Sequence, residues 1–583
     1  MTRDIDKLIG QMTIEEKALL TTGATMWSTN PVDRLDIPAV TVTDGPAGAR
    51  GPITPGIGTQ VATLCIPCGS ALGATFDVLL LEELGVALGH QTRSKGARVL
   101  LAPTVNLHRS PLFGRAFECY SEDPLLSGKL GASFIRGAQS QGIATTVKHF
   151  VGNDAEFERM TINSVIDQRT LREVYLLPFE LAVREGGSLG IMTSYNRMNG
   201  VYCAENRELL QDILRDEWGF EGFVVTDWFA GFTTEGAAHA GLDLEMPAPP
   251  RGYGKFLAEA VKEGRVDEAD LDRAVRTLLS TFDRLGALDD EPQAPIAIDL
   301  PEHRQLARRA AVSSMVLLRN EKVNDQSLLP LNTNGLKSVA VIGPNAERTR
   351  IMGGGSAEVM PHHRTAIIDV LRERLGAKVA VRHEAGGNID KTTPTVDPLM
   401  VKRPDGTPGF EVVVFDGDAS NNTELTRVHR PDGRIMLVAR NDPGVPTSSY
   451  HFAATGIVTV ETTGQYIVSL VEVSPCRLLL DGQMVVDGAS TIPARGQSFF
   501  GMGSVELTAI VDLVAGQQHQ LVLECDATNK QWAHGAQVGL QFVEQDDPVR
   551  RAVELAAECD IALVVVGTTD DWESEGHDRD TLD

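Results

Sequence analysis

Cysteine is scarce in this sequence, with 7 in 583 residues, at positions 65, 68, 119, 203, 476, 525 and 559. An odd, scattered set of this kind excludes a disulfide framework and points to a reducing compartment. Basic residues are also in deficit, 53 Lys and Arg against 79 Asp and Glu, for a formal net charge of -26. A surface this acidic repels phosphate backbones and anionic lipid, so nucleic acid and membranes are excluded as partners, and a neutral substrate is favoured. No stretch approaches the roughly 18 apolar residues of a spanning helix. The start, Met-Thr-Arg-Asp-Ile-Asp-Lys, is not followed by the apolar run of a secretory leader. The expectation is a cytoplasmic protein. A homo-oligomer is compatible with the sequence, and nothing in it sets the oligomeric state.

The length exceeds what one hydrophobic core supports, so at least two domains are expected. Residues 1–290 alternate short apolar runs with helix-capable segments. Thr13 and Glu16 form a capping box before an early helix. Candidate strands are Ala39–Asp44, Val99–Ala102, Ala144–Phe150, Gly190–Ser194, Gly222–Asp227 and Leu242–Met246. Short strands that are mostly apolar along their length imply βα units around a parallel sheet buried on both faces. At this length a TIM-like (β/α)8-type barrel is the natural closed form. A helical stretch at Ala269–Leu288 closes this region, and a Pro-rich acidic linker occupies 291–305. An α/β domain spans 306–400, with strands at Met315–Leu318, Val339–Ile342 and near Val379–Val381 and a helix at Ala366–Leu375. Residues 401–545 read instead as an inserted all-β sandwich, with Asp481-Gly482 as a hairpin cue. The α/β pattern resumes over 546–583, with a helix at Pro548–Cys559 and a buried strand at Ile561–Val566.

Several strands carry polar residues at their C-terminal ends, where barrel enzymes do their chemistry. Asp227, in Gly-Phe-Val-Val-Thr-Asp-Trp, is either a helix cap or a carboxylate placed to attack an anomeric carbon. Its neighbour Trp228 offers a stacking face. Asp44 and Arg50 lie in Thr-Asp-Gly-Pro-Ala-Gly-Ala-Arg, and Arg115 in Gly-Arg-Ala-Phe-Glu-Cys-Tyr-Ser-Glu-Asp-Pro. Lys148 and His149 are adjacent in Val-Lys-His-Phe, Arg159 follows, and Tyr195 lies in Met-Thr-Ser-Tyr-Asn-Arg. Fixed donors and acceptors of this kind suit a hydroxyl-rich ligand, and satisfied structural ion pairs are the alternative for each. Cys65 and Cys68 form a CxxC without the second pair or histidines of a zinc site and without a redox context, so two small buried thiols are expected. No metal ligand set and no cofactor motif stands out. Gly353-Gly-Gly-Ser lacks the Lys and helix of a phosphate loop.

These motifs, in this order, resemble glycoside hydrolase family 3 over nearly the whole chain. The resemblance implies that Asp227 is the nucleophile of a retaining β-glucosidase. It implies that Asp44, Arg115, Lys148, His149, Arg159, Tyr195 and Trp228 line the non-reducing sugar's subsite, with Arg50 supporting Asp44. It places a barrel beside an α/β sandwich that lends Ser356 to the pocket. Asp571-Trp-Glu-Ser-Glu-Gly-His-Asp-Arg resembles the family's acid/base loop and makes Glu575 the acid/base, with Glu573 as the fallback. The all-β insertion resembles a PA14-type module, through Gly456, Gly464-Gln-Tyr466, Leu480-Asp-Gly482 and Asp512-Leu-Val-Ala-Gly516, and implies a cap that limits substrate length. Members usually continue well past the acid/base loop, so the chain reads as a piece of a longer enzyme. Within the family, Asp44 favours glucose over xylose, and Lys-His-Phe-Val-Gly-Asn argues against N-acetylglucosaminidases. The expected reaction is release of terminal β-D-glucose from small glycosides. The alternatives are β-xylosidase or α-L-arabinofuranosidase activity and an inactive sugar-binding protein.

Overall fold

The structure is a computed structural model describing residues 3–51, 60–289, 293–323, 325–438, 442–529 and 533–582. The main helices and strands are labelled here in chain order. Helix α1 (Ile14–Leu20) opens on the expected capping box, with both reciprocal Thr13–Glu16 bonds made. Strands β1 (Val42–Asp44), β2 (Val99–Leu101), β3 (Ala144–Phe150), β4 (Gly190–Thr193) and β5 (Phe223–Thr226) follow one another in a parallel sheet, neighbour beside neighbour. All five are buried along their whole length. Helices α2 (Val78–Ser94), α3 (Pro124–Gln139) and α4 (Leu177–Arg184) fill the intervals, and α5 (Glu268–Arg284) closes the region. Asp77 and Asp123 cap α2 and α3, each accepting from two main-chain amides.

The barrel departs from eight regular parallel strands. Beyond β5 the ring continues, among the described residues, as single parallel bridges, Val225 to Leu244 and Thr22 to Glu245. It returns to β1 through antiparallel bridges, Gly23 to Thr29 and Ser28 to Thr41. The expected strand Leu242–Met246 is thus reduced to isolated bridges. A local cause is visible at Asp243, whose buried carboxylate accepts the Val224 amide at 2.7 Å and pairs with Arg215 and Arg273, each at 2.6 Å. A side chain there takes a contact that a ladder carbonyl would otherwise make.

Helix α6 (Pro301–Ser313) packs back onto the barrel, with Ala310 in the barrel core and His303 bonded to Gln91. Strands β6 (Ser338–Ile342) and β7 (Ala380–Glu384), with helix α7 (Ile367–Leu375) between them, begin a second parallel sheet. Met315–Leu318, expected as a strand, is irregular and exposed, 91% at Leu318. An apolar run becomes a strand only beside a partner, and none of the described strands pairs with it.

From β8 (Phe410–Asp416) the chain becomes all-β: β9 (Glu424–Arg430), β10 (Arg434–Val438), β11 (Tyr450–Thr459), β12 (Gly464–Glu472), β13 (Cys476–Leu480), β14 (Gln483–Asp487), β15 (Leu507–Leu513), β16 (Gln518–Ala527) and β17 (Ala533–Phe542). One antiparallel sheet runs β9-β8-β11-β16-β13-β14, and the other runs β10-β17-β12-β15. Burial alternates residue by residue along β11, the mark of a sheet with one covered face. The two sheets share their own core, which includes Phe410, Phe452, Tyr466, Leu478 and Leu523. Leu480 pairs with Gln483 across Asp481-Gly482, both in the left-handed region, so the expected tight hairpin forms. Helix α8 (Pro548–Glu558) and strand β18 (Ile561–Val564) then rejoin the second sheet, in the order β7-β6-β18. β18 is an edge strand with Leu563 and Val564 exposed, not the buried strand expected. Among the described residues no helix is long and apolar enough to cross a membrane.

Candidate active site

Because β1 to β5 are parallel, their C-terminal ends gather at one mouth of the barrel. Asp44 ends β1, Lys148 and His149 lie near the end of β3, Tyr195 follows β4, and Asp227 follows β5. All five are buried. Lys148 Nζ donates to Asp44 Oδ1 at 2.7 Å, and the Gly45 amide donates to the same oxygen at 2.9 Å. Asp227 Oδ1 accepts the Trp228 amide at 2.6 Å, while buried Oδ2 has no hydrogen-bond partner among the described residues. Trp228 is fixed by its indole N–H to Met26 O at 3.0 Å and tilts against Trp27 at 5.3 Å between ring centroids.

Two arginines face this group. Arg115 makes a forked pair with Glu118, at 2.8 and 3.1 Å, and comes within 3.5 Å of Glu575 Oε1. Arg159 donates to Glu156 Oε2 at 2.8 Å and to Glu575 Oε1 at 2.7 Å, with its guanidinium 4.4 Å from the Tyr195 ring centroid. The late loop therefore brings Glu575 from the far end of the chain onto the barrel mouth. Glu575 Oε2 accepts the Ser356 amide at 2.9 Å. The Gly-rich run before Ser356 pairs with this loop: the Gly354 amide donates to Glu573 O, and the Glu575 amide to Gly354 O. At Gly355 (φ +101°) a Cβ would sit 2.5 Å from Glu575 Cβ, so only glycine lets the two segments meet.

Glu573, the fallback acid/base, points elsewhere, to Thr568 Oγ1 at 2.8 Å and Arg579 at 3.4 Å. Arg50 does not support Asp44 with its side chain. Its amide donates to Asp44 O, and its guanidinium reaches Ser356 O at 3.4 Å and lies over Trp27. Ser356 meets Glu575 through its main chain, and the structure shows it as a partner of that carboxylate. Cys65 and Cys68 are half-buried free thiols; burial pushes Cys65 up to about 12.

The two carboxyls are tuned in opposite directions. Burial, with Glu575's charge adding to it, raises Asp227 to about 6 against the pull of Arg115, Arg159 and Lys148. Burial also disfavours the charge of Glu575, but Arg115, Arg159 and Ser356 override it and hold the group well below the usual range. His149 is kept neutral, by burial first and then by Arg115 and Lys148. The sequence reading missed Glu118, Glu156, Trp27 and Asn106, whose Oδ1 accepts the His149 amide at 2.7 Å. Glu118 and Glu156 each stand three residues from a singled-out arginine, a spacing that was available as a signal.

Residues 7–281 match the glycosyl hydrolase family 3 N-terminal domain, and residues 315–583 match the family's C-terminal domain. A β-glucosidase of Rhizobium radiobacter is 40% identical over 580 residues, which cover 98% of this chain and 69% of that protein. A probable β-glucosidase I of Aspergillus oryzae is 37% identical, covering all of this chain and 69% of its own length. The solved structure of a Kluyveromyces marxianus β-glucosidase in complex with glucose superposes with a TM-score of 0.89 at 32% identity, covering all of this chain and 70% of that one.

Proposed function

The chain belongs to glycosyl hydrolase family 3, and from that premise we propose that its β-glucosidase reaction is a double displacement with Asp227 as nucleophile and Glu575 as acid/base. The observation that carries this reading is that the late loop sets Glu575 2.7 Å from Arg159 and 3.5 Å from Arg115, the same two guanidiniums whose charge, with that of Glu575, acts on Asp227 at the end of β5. Asp227 Oδ2, unpartnered and buried, is free to attack the anomeric carbon. Glu575 protonates the departing oxygen and then activates water against the glycosyl-enzyme. Asp44, Lys148, Arg159 and Tyr195 hold the sugar's hydroxyls, and Trp228 with Trp27 forms an aromatic wall beside the nucleophile.

The all-β module acts as a PA14-type cap over this mouth. Phe499 and Phe500 both sit in the left-handed region, and Phe500 Cα comes so close to Gly576 that a Cβ there would lie 2.7 Å away. A large aromatic beside the acid/base loop suits the aglycone side of a small glycoside. The open edge of β18 and the exposed run Met315–Leu318 support a second sheet that is completed by further strands. Seven free thiols support a reducing, cytoplasmic setting.

Nitrophenyl β-glucoside and β-xyloside provide the test. Release from the glucoside is expected, and a 2-fluoroglucoside should label Asp227. Asp227→Ala should lower turnover by at least about 10³-fold, roughly 4 kcal/mol of barrier. Labelling of another side chain, or faster release from the xyloside, overturns the assignment.

A further inference from the structure

The loop that bears Glu575 is tied to the barrel at one carboxylate. Asp578 Oδ1 accepts the amides of Gly114 and Glu156, both at 3.0 Å, and Oδ2 accepts those of Glu156 at 2.9 Å and Phe157 at 3.0 Å. The barrel answers in kind. Glu156 Oε2 accepts the Gly576 amide at 2.8 Å, and the Arg579 amide donates to Leu112 O at 2.8 Å. The two segments also touch directly, since a Cβ on Gly114 would sit 1.8 Å from His577 O and 2.5 Å from Ser574 O. Glu575 lies within this clasped stretch, between Ser574 and Asp578.

We propose that Asp578 is the positioning residue that seats Glu575 against Arg115 and Arg159, by gathering three barrel amides into one carboxylate. Asp578 does not act on the sugar; it acts through the loop, and the inference rests on the reading of Glu575 as the acid/base. A carboxylate is needed because the converging main-chain N–H groups are all donors and present partial positive charge to one point. An asparagine offers one acceptor oxygen and one NH2, so at least one of the three amides would face a donor and lose its bond to the clasp.

The test uses the full chain with Asp578→Asn and with Gly114→Ala, which pushes the loop away from the barrel side by steric contact. Steady-state kcat/KM is measured across aryl and alkyl β-glucosides of graded leaving-group acidity, together with the rate of Asp227 labelling by an activated 2-fluoroglucoside. Misplacing the acid should cost roughly 100-fold on phenyl and alkyl glucosides, which need protonation. Dinitrophenyl glucoside and the labelling rate should stay within about threefold, and added azide should accelerate dinitrophenyl glucoside turnover with formation of glucosyl azide. A uniform loss on all substrates, or no loss, in a variant whose melting curve shows a folded protein overturns the proposal. If Asp578→Asn fails to fold, Gly114→Ala decides alone by the same pattern. Glu575→Ala, run in parallel, separates the two levels: a uniform loss there sinks the acid/base reading itself. Leaving-group dependence there, without it in the clasp variants, sinks only the role of Asp578.

Discussion

His149 presents an unprotonated Nε2 to Asp227 Oδ2 across 3.6 Å. The tautomer follows from the other side of the ring. Asn106 Oδ1 accepts both the His149 amide at 2.7 Å and Nδ1–H at 3.1 Å, while Asn106 Nδ2 donates to His149 O and so fixes which way the amide points. The neutral imidazole therefore offers a lone pair, and so does Asp227 when ionised. Two facing acceptors want a proton between them, and protonated Asp227 supplies one at low pH.

That geometry sets an acid limb. Asp227 is raised to about 6 by burial and by Glu575, and the proposed attack requires its ionised form. With a dinitrophenyl glucoside, for which leaving-group protonation is unimportant, kcat/KM should fall about tenfold per pH unit below pH 6. A limb that appears only below pH 4, near the ordinary carboxylate value, would refute the raised value.

The other carboxyl answers to its guanidiniums. Arg115 and Arg159 hold Glu575 ionised against its own burial, so the proton the proposed acid must donate is favoured only when substrate hydroxyls compete for the guanidiniums. Arg159→Gln removes one of these cations and should raise the pKa of Glu575 in the free protein. The expected outcome is a Glu575 carboxyl band, read by infrared difference against Glu575→Gln, that persists to higher pH than in the parent, with KM raised about tenfold through the loss of the proposed sugar contact. An unmoved band would mean that Arg159 does not hold that charge.

Much of the barrel was legible because its strands are short and mostly apolar, and β1, β3, β4 and β5 carry polar residues at or just past their C-terminal ends, a pattern that needs no knowledge of partners. Asp227, Lys148 and His149 could be placed at a mouth for the same reason. Arg50 could not be placed. It lies in the same segment as Asp44, yet its guanidinium crosses to Ser356 on a different part of the chain, and local spacing carries no record of that crossing. Asp578 is harder still, because its partners are main-chain amides, which have no residue type to recognise. Met315–Leu318 shows the opposite failure. Its composition suits a strand, but a ladder is a relationship between two segments, and only one of them is visible in a local window.

Stability should fall with rising pH through a group in the all-β module. Glu472, at the end of β12, accepts the Cys476 amide at 2.8 Å and is raised from 4.5 to about 7, chiefly by burial. The folded state thus holds this proton more tightly than the unfolded chain. Its contribution is fully present below about pH 4.5 and is lost as pH rises through 7. The full shift corresponds to about 3 kcal/mol, and solvent screening of a partly accessible group reduces it to about 1–2. Glu472→Gln keeps an acceptor for Cys476 and removes the ionisation. Melting curves should show a higher Tm than the parent at pH 8, by a few degrees, and little difference at pH 5. A variant equally destabilised at both values would show that the carboxylate itself is needed.

The cap reading makes a prediction that separates binding from chemistry. Phe500, in the all-β module, lies against Gly576 of the Glu575 loop and is 43% exposed, so it has apolar surface left to cover an aglycone. Phe500→Ala should raise KM for aryl glucosides and disaccharides about 5- to 30-fold, matching the loss of roughly 1–2 kcal/mol of apolar contact, and leave kcat within about threefold. The penalty should shrink for methyl glucoside, whose aglycone is too small to reach the ring. Longer oligosaccharides should gain relative to disaccharides, because the truncated side chain widens the exit beside Glu575. Equal KM changes for methyl and aryl glucosides would place Phe500 outside the aglycone path and would remove the module's claim to set substrate length.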